Sequence, residues 1–355
     1  MAVSPPFPGE RFCIARLDLP IDPTFDTRVA AAPGVSLQVC AAQGGDAATW
    51  QALAGAHLYH VASARDDLPA QWFAGAPLLA RCANLLAVTT FGAGYDTVDV
   101  EACTAAGVCV VNQAGSNAIA VGEHTFGLMI GLSKRIGEID RRLRRGERFT
   151  RQQTLGFDLN GRTLGLVGIG HTGTRVAQLG AAFGMKVLAS DPLLEAEEIR
   201  RRGAQPVTLP ELLRAADVVS LHCPLNHSTR GFIDATAFAA MKRGALFITT
   251  SRGGIHDEAA LFDALVRGHL GGAGLDVWDV EPPAAQHALL GLDNVIATNH
   301  VAGVTHDSRR EMAAMGARQA LALAAGARPQ RLVNPEVWPA YARRFERAFG
   351  RAVAA

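Results

Sequence analysis

The sequence predicts an α/β fold of two domains, each built on a parallel sheet, the second a doubly wound nucleotide-binding domain. Three observations predict it. Short apolar runs alternate with longer helical patterns from one end to the other, the mark of βα units. A glycine pattern, Gly168-Ile-Gly170-His-Thr-Gly173, joins a strand to a helix. The length of 355 residues, at roughly 100–200 residues per domain, fits two domains.

In the first third, Phe12–Leu17, Leu37–Cys40, Leu58–Ala62, Leu85–Thr89 and Val108–Asn112 read as strands. Helical segments at 46–54, 68–82 and 97–106 lie between them, giving a small flavodoxin-like sheet. From Ala118 to Gly146, Val121, Thr125, Leu128, Leu132, Ile136, Ile139 and Leu143 recur at spacings of three and four, which predicts one long connecting helix. Gly122, Gly127, Gly131 and Gly137 within it each cost about 1 kcal/mol relative to Ala, so close packing must compensate. The cluster Arg141, Arg142, Arg144 and Arg145 reads as a solvated face that complements the helix dipole. Six further strands follow: Thr163–Val167, Lys186–Ser190, Val218–Leu221, Ala245–Thr250, Gly272–Val277 and Val295–Thr298. With their helices they make a complete doubly wound sheet. A final amphipathic helix, Ser308–Ala325, precedes a Pro-containing segment and a short tail.

Composition narrows the function. Lys plus Arg (34) nearly cancels Asp plus Glu (33), and a formal charge of +1 supplies no drive toward nucleic acid or an anionic membrane. The N-terminus has neither a basic n-region nor an apolar h-region, and no apolar run reaches about 18 residues. Neither secretion nor membrane spanning is expected. Six scattered cysteines without a C-x-x-C pair read as reduced thiols in a cytoplasm.

In the glycine pattern, Gly168 permits the turn, Gly170 lets a pyrophosphate approach, and Gly173 lets the helix pack on the strand. Asp191 ends the next strand 18 residues past Gly173, near the usual separation of about 20 for a ribose-binding carboxylate. A carboxylate there repels a 2′-phosphate, so NAD is expected over NADP. Arg200, Arg201 and Arg202 read as surface helix charges. Three more polar residues each follow a strand: Arg252, Glu281 and His300. The carboxyl ends of the strands line the ligand crevice of such a sheet, so the three converge beside the nicotinamide. Arg252 can grip a carboxylate and polarise the adjacent carbonyl. His300 can carry a proton to or from the reacting oxygen, and Glu281 can hold one ring nitrogen and favour imidazolium.

At this point the chain resembles the D-isomer-specific 2-hydroxyacid dehydrogenase family. The resemblance rests on ordered blocks: Phe91-Gly-Ala-Gly94-Tyr-Asp-Thr-Val-Asp99, Val111-Asn-Gln-Ala-Gly115-Ser-Asn117 leading to Glu123-His124, and the glycine turn. After these come His222-Cys-Pro224-Leu-Asn-His-Ser-Thr-Arg230, the Arg252, Glu281 and His300 segments, and Val333-Asn-Pro-Glu-Val337. It implies Arg252 as substrate-binding residue, His300 as acid/base and Glu281 as its partner, these three being catalytic. It implies cofactor contacts from Gly168, Gly170, His171, Thr172, Gly173, Asp191, Cys223, Pro224, Thr229, Thr250, Asp276, His300 and Gly303, with Asp276 as nicotinamide-amide acceptor. Gly92, Ala93, Gly94 and Asn117 would hold the substrate carboxylate. The resemblance makes residues 1–117 plus 309–355 the substrate domain and 118–308 the NAD-binding domain, with a homodimer formed through the 118–146 helix.

Departures bear on substrate. His171-Thr172 stands where many members carry Arg-Ile, and Asn299 and Ala114 replace common prolines. The segment His60-Val-Ala-Ser63-Ala-Arg65 lacks the Arg-Ser pair that holds a phosphate in phosphoglycerate dehydrogenases, and Thr90 stands where an arginine often precedes the Gly-x-Gly loop. An unphosphorylated 2-keto acid is expected, although Arg65 offers a phosphate contact of its own. No metal is expected. The alternative is a nicotinamide-sensing, corepressor-like interaction protein; formate oxidation is disfavoured, because Glu281 stands where formate-type members carry Gln.

Overall fold

A computed structural model of the chain describes residues 11–354. Packing divides it into two units, one running to Asn117 and resuming at His306, the other spanning Ala118–Thr305. In the first, strands β1 (Phe12–Leu17), β2 (Val35–Cys40), β3 (Leu58–Val61), β4 (Ala87–Thr90) and β5 (Cys109–Val111) pair in parallel in the order β2-β1-β3-β4-β5. Successive strand residues face opposite ways, so each strand feeds two cores. Phe12, Ile14, Leu58, Ala87, Cys109 and Val111 are buried on one face, and Ala15, Leu17, Tyr59, Val61, Val88 and Val110 on the other. Burial on both faces is why these strands read as unbroken apolar runs. Helix α1 (Thr24–Ala30) covers the first face through Phe25 and Val29. Helices α2 (Asp46–Gly55), α3 (Ala76–Arg81) and α4 (Val100–Ala105) cover the second through Leu53, Leu78 and Cys103. The helix expected over 68–82 is broken: a 3-10 turn at Ala70–Trp72 precedes α3, with Pro69 and the Gly75-Ala-Pro77 start of α3 imposing the bends.

The second unit opens with α5 (Ala118–Ser133) and α6 (Ile136–Arg144). The single helix expected over 118–146 is therefore two. Arg135 adopts a left-handed φ of 54°, and its guanidinium bonds Glu138 and the carbonyls of Gln153 and Leu155. The chain returns across the end of α5, where Phe157 N–H donates to Ser133 O at 2.8 Å. A Cβ on Gly122 would meet Arg175 at 2.8 Å and one on Gly131 would meet Ile296 at 2.7 Å, the compensation the helix needed; nothing lies within 4 Å at Gly127. The arginine cluster is paired along the surface with Glu138, Asp140, Glu147 and Asp293.

Strands β6 (Thr163–Val167), β7 (Lys186–Ser190), β8 (Gln205–Pro206), β9 (Val218–Leu221), β10 (Leu246–Thr249), β11 (Gly272–Leu275) and β12 (Val295–Ala297) run parallel in the order β12-β11-β10-β9-β6-β7-β8. There are seven strands where six were expected. The extra one is two residues long and sits at the edge, the place where a proline is tolerated. Helices α7 (His171–Ala182), α8 (Ala196–Arg201), α9 (Leu209–Ala215), α10 (Ala235–Ala240) and α11 (Glu258–Val266) connect the strands, and the order reverses between β6 and β9.

The chain then returns to the first unit as α12 (His306–Ala324), and where a short tail was expected it forms a further helix, α13 (Trp338–Phe349). Ala313, Ala317, Ala320, Leu323, Tyr341 and Phe345 close the face that β1 and β3 leave open. Asn334 fixes the register: its side chain accepts from Val110 N–H at 2.8 Å and donates to Val108 O and Thr104 Oγ1. Among the described residues, no helix is long and apolar enough to cross a membrane.

His60 lies in the same core, 1% exposed, its ring stacked 3.9 Å from Phe25 and its Nδ1 2.8 Å from Thr89 Oγ1. Burial pushes its pKa down from 6.5 to about 3. The folded state keeps this ring neutral while the unfolded chain protonates it near 6.5, so its stability contribution is full above that pH and is lost as pH falls toward 3. The urea midpoint should therefore drop between pH 6.5 and 4, and His60→Phe should flatten that slope. Equal slopes in the two proteins would remove His60 as the cause.

Candidate active site

At the end of β6, Gly168 turns with φ 88°, and a Cβ there would meet Cys223 N and the His222 carbonyl carbon at 2.9 Å. A Cβ on Gly173 would lie 2.4 Å from Gly168 O, whereas nothing lies within 4 Å of one at Gly170. The turn is thus tight against protein on two sides and open on the third, over the first turn of α7. Its N–H groups have no intrahelical acceptor and make an anion site, with His171 exposed and Thr172 half-buried beside it.

Asp191 follows β7. Its Oδ2 accepts Ile169 N–H at 3.0 Å and its Oδ1 accepts Leu193 N–H at 3.0 Å. The other end of the Ile169 residue is held as well: Arg202 Nη1 donates to Ile169 O at 2.8 Å while Arg202 Nε donates to Glu198. Arg202 is therefore no plain surface charge. Arg200 and Arg201 are, paired to Glu197 and Glu198. Nothing in the spacing of three consecutive arginines marks the last as the one that reaches back.

Past β9, the His222 ring sits 2.9 Å from Ser220 Oγ through Nε2, and its buried Nδ1 has no partner among the described residues. Burial pushes its pKa down to about 4. Cys223 is half-buried, its thiol pushed up to about 11 by burial, and Pro224 is exposed. The Thr229 hydroxyl donates within its own turn, to Pro224 O at 2.7 Å. An open glycine cradle, a helix start above it and the orphaned imidazole nitrogen of His222 together suit a dinucleotide.

The three residues expected to do chemistry follow β10, β11 and β12. His300 Nδ1 lies 2.7 Å from Glu281 Oε2, and Glu281 Oε1 accepts Trp278 N–H at 3.0 Å. Burial alone would raise the Glu281 pKa; the bond to His300, its charge, the Trp278 N–H and the Arg252 charge outweigh burial and hold it below 4.5. An ionised Glu281 makes Nδ1 the donor, which leaves Nε2 to exchange protons. Arg252 donates from Nη1 to Ser251 O at 2.7 Å. Its loop is docked on the Glu281 loop: Gly254 N–H donates to Asp279 Oδ1 at 2.6 Å, and a Cβ on Gly253 would fall 1.8 Å from Trp278 O.

His300 itself has φ 51°, a conformation that costs of order 1–3 kcal/mol for a residue with a Cβ. Asp276, 1% exposed, holds it there. The Asp276 carbonyl accepts His300 N–H at 2.5 Å, and its carboxylate accepts Val301 N–H, Ala302 N–H and the Thr298 hydroxyl at 2.9, 2.9 and 2.6 Å. Of about four acceptor positions on a carboxylate, three are filled from within, so a nicotinamide amide can take only the fourth. Gly303 is half-buried just beyond this turn, and Thr250, buried after β10, lies 3.1 Å from Thr125 Oγ1.

In the first unit the Gly92–Gly94 loop is only partly available to a ligand. Gly92 N–H, expected to hold a substrate carboxylate, donates instead to Ser63 Oγ at 2.7 Å, while no acceptor pairs with the N–H of Ala93 or Gly94 among the described residues. Asn117 is half-buried. Arg65 donates from Nε to Asp96 O at 2.9 Å and lies over the Phe73 ring. No cluster of three or more metal-ligating side chains occurs among the described residues.

The sequence pattern described as D-isomer specific 2-hydroxyacid dehydrogenase, NAD binding domain, matches residues 126–302. The chain is 37% identical over 275 residues to a glyoxylate reductase of Korarchaeum cryptofilum, spanning 77% of this chain and 81% of that protein. It is 36% identical over 257 residues to a D-3-phosphoglycerate dehydrogenase of Archaeoglobus fulgidus, spanning 72% of this chain and 49% of that protein, about half its length. In structure it is similar to D-lactate dehydrogenase from Aquifex aeolicus complexed with NAD and lactic acid, with a TM-score of 0.74, 29% identity, and coverage of 87% of this chain and 95% of that one.

Proposed function

The chain belongs to the D-isomer-specific 2-hydroxyacid dehydrogenase family of NAD-binding oxidoreductases, and from that premise we propose that it interconverts an unphosphorylated 2-keto acid and its D-2-hydroxy acid. The observation that carries this reading is the 2.7 Å contact of His300 Nδ1 with an ionised Glu281, which leaves Nε2 free for proton exchange. Bound NADH supplies the hydride, and NAD accepts it in the reverse direction. Arg252 binds the carboxylate and polarises the keto oxygen. His300, as imidazolium, gives that oxygen its proton from Nε2; in the oxidation direction the neutral ring removes it. Glu281 stays an acceptor throughout and keeps the ring oriented.

The open turn at Gly168, Gly170 and Gly173 and the first turn of α7 take the pyrophosphate, and Asp191 takes the ribose with lone pairs not used by Ile169 and Leu193. The remaining cofactor contacts are assigned to His171, Thr172, Cys223, Pro224, Thr229, Thr250, Asp276 and Gly303. The adjacent N–H groups of Ala93 and Gly94 offer two donors to a substrate carboxylate. Absence of the Arg-Ser pair near Ser63 supports an unphosphorylated substrate. A homodimer through α5 and α6 is supported by Ile136 and Leu143, 55% and 61% exposed on a helix that also carries five charged residues. A cytoplasmic location is supported by six cysteines that are all free.

The test follows absorbance of NADH, and separately NADPH, with glyoxylate, hydroxypyruvate, pyruvate, bulkier 2-keto acids and phosphohydroxypyruvate. Turnover with an unphosphorylated acid and a lower KM for NADH is expected. Turnover of phosphohydroxypyruvate alone would overturn the substrate class, and a lower KM for NADPH the cofactor preference.

A further inference from the structure

We propose that His124, acting through Thr298, is a positioning residue for the catalytic histidine, an inference that rests on the acid/base reading of His300. His124 lies on α5, and its Nε2 is 3.0 Å from Thr298 Oγ1. A hydroxyl has one proton, and that of Thr298 is directed at Asp276 Oδ1, 2.6 Å away. Thr298 can then only accept from the imidazole, so His124 carries its proton on Nε2. The same nitrogen is 3.7 Å from Asp276 Oδ1, which places its polarity against the carboxylate as well.

A directed chain of hydrogen bonds results, from α5 through Thr298 to Asp276, whose carboxylate receives the N–H groups of Val301 and Ala302 and whose carbonyl receives that of His300. The chain ends on the three consecutive peptide groups that hold His300 in its left-handed conformation. Thr298 is tied from its other side too, since its carbonyl accepts Trp278 Nε1–H at 2.8 Å, and Trp278 N–H in turn holds Glu281. Bonds of this kind polarise one another in a buried setting, so loss of the first donor loosens those that follow.

The neighbouring residue on α5 repeats the device at a second strand. Thr125 spends its hydroxyl proton on Val121 O at 2.7 Å, so it accepts from Thr250, two residues before Arg252. Two adjacent polar side chains on α5 thus register the ends of β12 and β10, the strands that deliver His300 and Arg252. An apolar residue at 124 would fill the space without setting the direction of any bond.

The test compares His124→Leu, His124→Gln and Thr298→Val with the wild-type protein by amide hydrogen exchange and by kinetics. In His124→Leu and Thr298→Val, exchange at Val301 and Ala302 should quicken roughly tenfold while the β9 amides of Val218–Leu221 keep their protection. In kinetics, kcat should fall roughly tenfold with the NADH Kd within twofold of wild type. His124→Gln, whose side-chain N–H reaches the same place, should restore most of both. Unchanged exchange at Val301 and Ala302 in His124→Leu, or a glutamine variant no better than leucine, would overturn the proposal. Because exchange needs no turnover, a wild-type protein that reduces no 2-keto acid yet shows these exchange changes would sink the acid/base reading while leaving the positioning intact.

Discussion

Replacing His300 with alanine is expected to lower kcat for keto-acid reduction by ~10²–10⁴-fold, the range that a positioned general acid contributes. The NADH Kd should stay within a few-fold, because the glycine turn, α7 and Asp191 are untouched. Stability should change little or rise, since alanine removes a side chain that is a third exposed from a residue whose backbone stays in the same strained region. The control is Glu281→Gln, which keeps an acceptor oxygen near Nδ1 but removes the carboxylate charge beside it. Its rate loss should be smaller than that of His300→Ala, because the imidazole that carries the proton remains in place. A His300→Ala enzyme within tenfold of wild type would dismiss His300 as the proton donor.

Gly253→Ala is expected to cost 10²-fold or more in kcat/KM, although it adds one methyl group and touches no reacting atom. The added carbon would lie 1.8 Å from Trp278 O, well inside any tolerable contact, and the obstacle is backbone rather than the end of a flexible side chain. The loops of Arg252 and Glu281 must separate, breaking the bond from Gly254 N–H to Asp279. Asp279 N–H is itself bonded to Glu258, so the second loop cannot simply give way. A displacement of about 1 Å between groups that act together can cost 10²-fold in rate. NADH should still bind, and the loss should appear for every 2-keto acid alike. An alanine variant with wild-type kcat/KM would mean that the two loops are not held in register by this approach.

The strands and the glycine turn were legible because their signals are local. Short apolar runs mark β6, β7 and β9 to the residue, and Gly168, Gly170 and Gly173 stand where the turn, the open cradle and the packed helix start require them. The break at Arg135 was not, because one left-handed residue leaves the spacing of three and four intact across it. Helix α13 was hidden by Pro339, which reads as a breaker but occupies the first turn, where proline is tolerated; Tyr341 and Phe345, four apart, were its real signal. Among the candidate site residues, the sequence points to Arg252, Glu281 and His300 but cannot say which backbone groups are already engaged. The Ser63 bond to Gly92, the three donors on Asp276 and the reach of Arg202 to Ile169 all depend on residues distant in sequence.

The return of α12 and α13 to the first unit has a consequence for synthesis. The sheet face formed by Phe12, Ile14, Leu58, Ala87, Cys109 and Val111 is sealed by side chains that leave the ribosome more than 200 residues later. At translation rates of about 5–20 residues per second, that face waits roughly 10–50 s for its cover, long enough to recruit a holding chaperone. The stretch from Ala118 to Thr305 is contiguous and can complete its own core in that interval. The nucleotide-binding half therefore completes its core first, and Phe12 and Ile14 are among the last residues to reach their native packing.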